Sequence, residues 1–471
     1  MLSGPKILEE YGKVIRGKHK VKNILKVFKN AFAFSDFCCI KLLYQKQRSI
    51  VWLENQNYYF CIELLKMQSV VLYAVFFHDK IAVFLVELPE HEFNMIAVDT
   101  TTFGHSEVVN NRLSLSTSIF TAVLLDSFVE LGVSKNFCLI VNCLHEAFFR
   151  KRFPEYELVV LKFPPLFVVN KITKGKHSWA RLLKKFGIFS RAVNRRKEIK
   201  AIWFPCVNPE IFVKTTKPAI LTIHDLFFLH SEKEKSLFAK ILADEKNKVV
   251  SISNYTKNKI ENDFSYKRKI SVIPNGVAVD VSKTEPVKRL EDSNFILDIN
   301  SYEKKKNAIT LLKAFNLIKE KTDCNLVFCG GYKHDDCFGE LEDFTKENGL
   351  TGRVSFFLAI SEEQKNWLLT HARIFVTPSL LEGFGRTPVE AAICGIPVIS
   401  TKETALPEAT LGLVNYYENA TDEKELAALI LKKLEEPDSK ERLSLIAEKL
   451  KQEYAPTNVA NKYLDVFREF F

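Results

Sequence analysis

The stretch Ala372–Pro397 limits what this chain can fold into more than any other. Its run Ile374-Phe375-Val376 is apolar, rich in β-propensity and closed by Pro378, which predicts a buried parallel strand ending before Ser379. Gly383 and Gly385 then turn the chain, and Thr387-Pro388 opens a helix that Glu390, Ala391 and Ala392 continue. Strand, glycine turn and helix N-terminus in that order make a seat for an anion. The first-turn N–H groups have no helical partner, and the helix dipole adds partial positive charge. A phosphate or diphosphate is the expected occupant. Glu382 and Glu390 flank the seat. A bound anion repels a carboxylate, so the pair is expected either to accept hydrogen bonds from neutral hydroxyls, such as those of a sugar and a ribose, or to be two solvated surface acids.

The same strand-then-helix order recurs from Phe93 onward, which predicts an α/β fold with doubly wound parallel sheets. In the first half the strands are Met95–Val98, Phe137–Val141, Leu158–Leu161, Ala201–Phe204, Ala219–Ile223, Val249-Val250 and Ile270–Ile273, with a helix over Leu115–Leu131. In the second half they are Phe295–Ile299, Leu326–Cys329 and Arg353–Phe357, and the polar run Asp280–Asp292 reads as the linker between the halves. Such sheets bind ligands beyond the carboxyl ends of their strands, which singles out Gly104, His224 and the loop Asn300–Lys306. Lys304, Lys305 and Lys306 gather where a diphosphate could be reached, and Gly330-Gly331 permits a tight turn near a base or ribose. A lone histidine at a strand end is more often structural, and three successive lysines are more often a solvated face.

Residues 1–90 read differently. A basic stretch, Lys6–Lys29, has helical periodicity and suits either an anionic membrane surface or a solvated helix packed on the next domain. Ile50–Leu53, Tyr58–Leu64, Val70–Phe77 and Ile81–Leu88 then predict a four-stranded antiparallel meander with a turn at His78. The stretch Lys171–Lys200 is also basic, and within it Trp179, Leu182, Leu183, Phe186, Phe189 and Val193 recur at helical spacing between arginines and lysines, with the same two readings. A net charge of +10 permits attraction to lipid heads, nucleic acid or nucleotide phosphates without choosing among them. The ten cysteines have neither zinc nor redox spacing and read as reduced core thiols of a cytosolic protein. The N-terminus lacks the order of a signal peptide, and no uncharged run reaches the roughly 18 residues of a membrane span.

Taken together, Pro378-Ser379, Glu382-Gly383-Phe384-Gly385, Pro388-Val389-Glu390-Ala391 and Gly395-Ile396-Pro397-Val398-Ile399 closely resemble the donor-site signature of glycosyltransferase family 4. His224-Asp225 followed by Leu226-Phe227-Phe228, Pro274-Asn275-Gly276-Val277 and Lys306-Asn307 match further elements of that family. The resemblance implies a GT-B fold, two Rossmann-like doubly wound domains facing across a cleft, over residues 91–290 and 291–455. A C-terminal helix, 456–471, is expected to cross back, and the extension 1–90 to precede the whole.

It also implies retaining transfer of a hexose from a nucleotide sugar to a hydroxyl of a glycan or lipid-linked glycan in polysaccharide assembly. His224 and Glu382 would contact the donor sugar as the catalytic pair, and Glu390 the ribose. Lys306, Ser301, Gly330, Gly331 and the amides of Gly383, Phe384 and Gly385 would hold the rest of the donor, and Gly104 would border the acceptor. Ile223-His224-Asp225-Leu226 with Lys306-Asn307 and Gly330-Gly331 looks most like bacterial mannosyltransferases of polysaccharide or O-antigen assembly, which favours GDP-mannose. UDP-glucose, UDP-N-acetylglucosamine or a deoxyhexose donor would fit the same residues. No cofactor, metal or nucleic-acid partner is expected; the chain has no Asp-x-Asp motif of the kind that holds a cation, and the location implied is cytoplasmic with peripheral contact at the inner membrane face. Asn300, Ser301 and Leu358 depart from the family pattern, which keeps a non-catalytic sugar-nucleotide-binding protein as the alternative.

Overall fold

The computed structural model describes five strands between Cys39 and Glu87, and residues 94–471 apart from 105–106, 109–112, 114–115, 163–186, 331–334 and 359. The chain divides into two units, residues 1–93 and 94–471.

In the first unit β1 (Cys39–Gln45), β2 (Arg48–Asn55), β3 (Tyr58–Met67), β4 (Val70–Phe77) and β5 (Lys80–Glu87) form an antiparallel sheet in that order. This is one strand more than the four-stranded reading. Cys39–Gln45 escapes it because Lys46-Gln47, which joins it to β2, contains none of the residues that mark a hairpin turn. The basic stretch Lys6–Lys29 and the His78 turn lie outside the described residues.

The second unit holds two parallel sheets. The first is built from β6 (Met95–Asp99), α1 (Ser116–Glu130), β7 (Phe137–Asn142), α2 (Glu146–Arg152), β8 (Glu157–Leu161), α3 (Ile188–Asn194), β9 (Ile199–Phe204), β10 (Ala219–Ile223), α4 (Glu232–Ala243), β11 (Lys248–Ser251), α5 (Asn254–Asp263) and β12 (Ile270–Val272). Its strand order is β12-β11-β10-β9-β6-β7-β8, and every pairing is parallel. All residues of β6, β7 and β10 are buried, the state that a continuous apolar run prescribes for a strand covered on both faces. Of the basic amphipathic stretch Lys171–Lys200, Phe189 and Val193 are buried on α3, and Trp179, Leu182, Leu183 and Phe186 lie outside the described residues.

The second sheet comprises β13 (Phe295–Ile299), α6 (Ala308–Ile318), β14 (Asn325–Gly330), α7 (Asp335–Glu347), β15 (Val354–Leu358), α8 (Glu362–His371), β16 (Ile374–Thr377), α9 (Arg386–Ile393), β17 (Val398–Thr401), α10 (Leu406–Ala409), β18 (Asn415–Tyr417), α11 (Glu423–Glu435) and α12 (Lys440–Glu453). Its order, β15-β14-β13-β16-β17-β18, reverses direction between β13 and β16. That reversal opens a crevice at the carboxyl ends of those two strands, which are followed by Asn300–Lys306 and Pro378–Gly385.

A last helix, α13 (Pro456–Phe467), leaves the second sheet and packs on the first. Val459, Tyr463, Leu464 and Phe467 join the core of Phe128, Phe137 and Trp203, each burial contributing on the order of 2 kcal/mol. The Tyr463 hydroxyl lies 3.1 Å from Thr222 Oγ1, which also accepts from Trp203 Nε1. The helix thereby ties the end of the chain to β10, one residue before the strand's carboxyl end.

Candidate functional site

The two loops at the crevice of the second sheet are joined to each other before any charged group is considered. Leu380 N donates to Lys305 O at 2.8 Å. Asn307 starts α6 with φ of 55°, a left-handed conformation that asparagine tolerates. Its buried amide donates to Pro378 O at 3.1 Å and Ala420 O at 2.8 Å. The asparagine of the Lys306-Asn307 pair is therefore what holds the lysine loop against the glycine loop.

On that frame Lys306 Nζ lies 2.5 Å from Glu382 Oε1, the two side chains being 14% and 13% exposed. Gly385, at φ of 97°, is the N-cap of α9, so the first-turn amides of that helix open beside the pair. Phe384 faces the other way, edge-on to Tyr454 in the core, and can offer only its backbone. Gly330 is required by a close approach rather than by a special φ. A Cβ there would stand 2.2 Å from Asn300 O. Ser301 Oγ donates to Glu303 Oε2 at 2.6 Å, and Gly331 lies outside the described residues.

The first sheet brings His224 to the same place. A carbonyl can only accept, so the 2.8 Å contact between His224 Nε2 and Pro205 O places the ring proton on Nε2. Phe120 packs edge-on against the ring at 4.8 Å, and burial holds the imidazole below its usual range, hence neutral. A Cβ on Gly383 would lie 2.1 Å from His224 O, so the two domains meet backbone to backbone at this glycine. Ser253 Oγ, at the N-cap of α5, donates to Gly383 O at 2.8 Å. The amides of Asn254 and Tyr255 that open α5 donate to the carboxylate of Glu408 at the far side of the cleft. No signal in the sequence marks Glu408 for that place. Gly104 lies in the loop after β6, and its amide donates to Glu107 Oε2 at 2.8 Å.

Glu390 stands apart from these groups. It is 2% exposed, with Oε1 2.6 Å from Arg386 Nε and Oε2 3.5 Å from Lys365 Nζ. Burial pushes its carboxyl up, but the two cations more than offset that and hold it below the usual range. Arg386 and Lys365 in turn line a cavity of about 240 Å³ against Ala278, Val279 and the linker residues Asp280 and Lys283. Neither cation is singled out by a sequence motif. A second cavity, of about 800 Å³, has Leu226, Phe227, Tyr255 and Phe264 on the first domain and Leu381 on the second among its walls. Leu226 and Leu381 are the sequence neighbours of Asp225 and Glu382. Among the described residues no group of acids, histidines and cysteines is placed to hold a metal ion, and no helix is long and apolar enough to cross a membrane.

Residues 281–450 match the sequence model of the family described as Glycosyl transferases group 1. The chain carries a glycosyl transferases group 1 domain. It is similar to the alpha-1,3/1,6-mannosyltransferase ALG2 of Dictyostelium discoideum, 30% identical over 42% of this chain and 48% of that one. It is also similar to the O-antigen chain mannosyltransferase B of Escherichia coli, 26% identical over 47% of this chain and 63% of that one. The chain thus spans about half to two thirds of the length of these relatives. Among solved structures, Anabaena HepE in complex with UDP and glucose superposes with a TM-score of 0.60 at 14% identity, over 80% of this chain and 99% of that one. The fold around the group 1 domain is GT-B, as the sequence resemblance implies.

Proposed function

We propose that this protein is a retaining glycosyltransferase that moves a hexose, mannose by preference, from a nucleotide sugar to a hydroxyl of a glycan or lipid-linked glycan. The observation that carries the reading is the Lys306–Glu382 pair at the strand-order reversal, beside the N-terminus of α9 and opposite a neutral His224. A diphosphate leaving a sugar develops negative charge, which Lys306 and the α9 amides are placed to offset. The sugar joined to that diphosphate lies one bond away, within reach of Glu382 and of the His224 loop. The cavity walled by Phe227, Tyr255 and Leu381 receives the acceptor, its aromatic walls suiting the apolar faces of a sugar. The nucleoside end lies toward the cavity lined by Arg386 and Lys365, with Glu390 behind them. Mannose as the sugar is supported by the mannosyltransferase relatives.

Because lysine and backbone donors suffice for the charge, GDP is expected to bind in excess chelator as well as in added magnesium. Calorimetric titration checks this, and loss of binding in chelator counts against a metal-independent seat. Lys306→Ala is expected to lower GDP-mannose turnover by roughly 100-fold, the usual cost of one lost transition-state donor. Binding of GDP-mannose without any release of mannose to sugar acceptors or water would favour a non-catalytic sugar-nucleotide-binding protein instead. A peripheral contact with anionic membrane, through Lys6–Lys29 and Lys171–Lys200, belongs to the same reading. Its check is salt-sensitive sedimentation with anionic and not with neutral vesicles.

A further inference from the structure

Strand β13 carries one acid in an otherwise apolar sequence, Phe-Ile-Leu-Asp-Ile, and that acid, Asp298, is 2% exposed. It points to the same side of the sheet as Ile296, beneath the loop that leads to α6. Asp298 Oδ1 accepts from Asn300 Nδ2 at 2.6 Å. Asn300 is itself fixed at both ends, its N–H donating to Cys329 O at 2.9 Å and its carbonyl lying against Gly330. The charged and titratable groups facing Asp298 are Lys306 and Tyr302 from the same loop, Glu382 from the loop after β16, and Tyr417 from β18. Lys306 gives its close contact to Glu382, and among the described residues no ion pair reaches Asp298. The site thus places two acids, one of them buried, around one lysine.

We propose that Asp298 is a positioning residue for the donor diphosphate that takes up one proton as the diphosphate binds. This rests on reading the crevice as a nucleotide-diphosphate seat. An ionised Asp298 beneath Lys306 would repel the incoming phosphates and draw the lysine down. The neutral acid keeps its Oδ1 contact with the Asn300 amide, so the loop retains its shape while Lys306 turns its charge to the ligand. The proton comes from solvent and forms an O–H bond on the carboxyl, with no other covalent change. Desolvation by burial already pushes this carboxyl up to about 7 before any ligand arrives, with Glu382 acting in the same direction, and Asn300 and Lys306 against it. Added negative charge moves it further in that direction.

The test is titration calorimetry of the full chain with GDP-mannose between pH 6 and 9, in buffers of different ionisation heat. Both phosphates of this ligand are esterified, so neither titrates there. Proton uptake is expected to grow as the pH rises above about 7, with affinity falling roughly tenfold over the next pH unit or so. Asp298→Asn, which keeps the shape and the Asn300 contact, is expected to bind with no proton uptake and a flat profile, at least as tightly as the parent at pH 8.5. Binding with the same pH dependence in parent and variant, or a flat profile in the parent, overturns the role of Asp298 and leaves the donor reading intact. Failure of both GDP-mannose and GDP to bind at any pH overturns the two together.

Discussion

Gly383→Ala is expected to lower sugar transfer about 100-fold or more while changing GDP affinity only a few-fold. The Cβ it adds would stand 2.1 Å from His224 O and 3.1 Å from Asp225 Cβ, and the first of these is backbone on the opposite domain. No side-chain rotation relieves such a contact, so the loops must part by an ångström or more. Parting them also disturbs the Ser253–Gly383 hydrogen bond and the seat of Glu408 on α5. Displacements of this size between reacting groups cost on the order of 100-fold in rate. The groups placed to hold the diphosphate, Lys306 and the opening of α9, both belong to the second domain, so nucleotide binding is spared. Gly352→Ala is the matched control, because a Cβ there meets nothing within 4 Å. Turnover of GDP-mannose and GDP affinity, measured on both variants, decide the matter. Parent-like turnover in Gly383→Ala would show that the His224 loop takes no part in the reaction.

The strands and the glycine loop were legible because periodicity and turn chemistry are local properties. A run such as Ile374-Phe375-Val376 before Pro378 has few structures open to it, and β13, β10 and α6 begin where their apolar patterns begin. Lys306 and Glu382 are 76 residues apart, yet both could be placed at the crevice because each ends a strand-loop unit and the strand order joins those ends. What could not be read was the partner of each polar group. Glu408 is an ordinary surface-type glutamate in sequence, and only the closure of two domains sets it on the first turn of α5. Asp298 does carry a signal in the sequence, since an acid inside a five-residue apolar strand is costly to bury and calls for a reason. The position of Ser301 after β13 suggests a donor contact, whereas its hydroxyl is engaged by Glu303 two residues on.

Glu390 illustrates the same limit and leads to the second large effect. Its place one turn into α9 suggests a carboxylate open to a ribose, whereas its side chain is 3% exposed and held by Arg386 and Lys365, which are themselves 20% and 16% exposed. Glu390→Ala is therefore expected to destabilise the fold by about 3 kcal/mol, the lower end of the range for leaving buried charges without their counter-ion. Glu390→Gln, which keeps the side-chain volume and a polar oxygen beside Arg386, should cost less. The pH dependence separates this from lost packing alone. The folded-state carboxyl titrates below its ordinary value of 4.5, so its contribution is present above that pH and is lost as the pH falls through the depressed value. The stability gap between parent and Glu390→Ala, read from denaturant midpoints, should thus be constant between pH 6 and 8 and narrow below about 4. A gap that does not change with pH would assign the loss to the missing side-chain volume, and parent-like stability with weakened GDP binding would return Glu390 to a direct contact with the ribose.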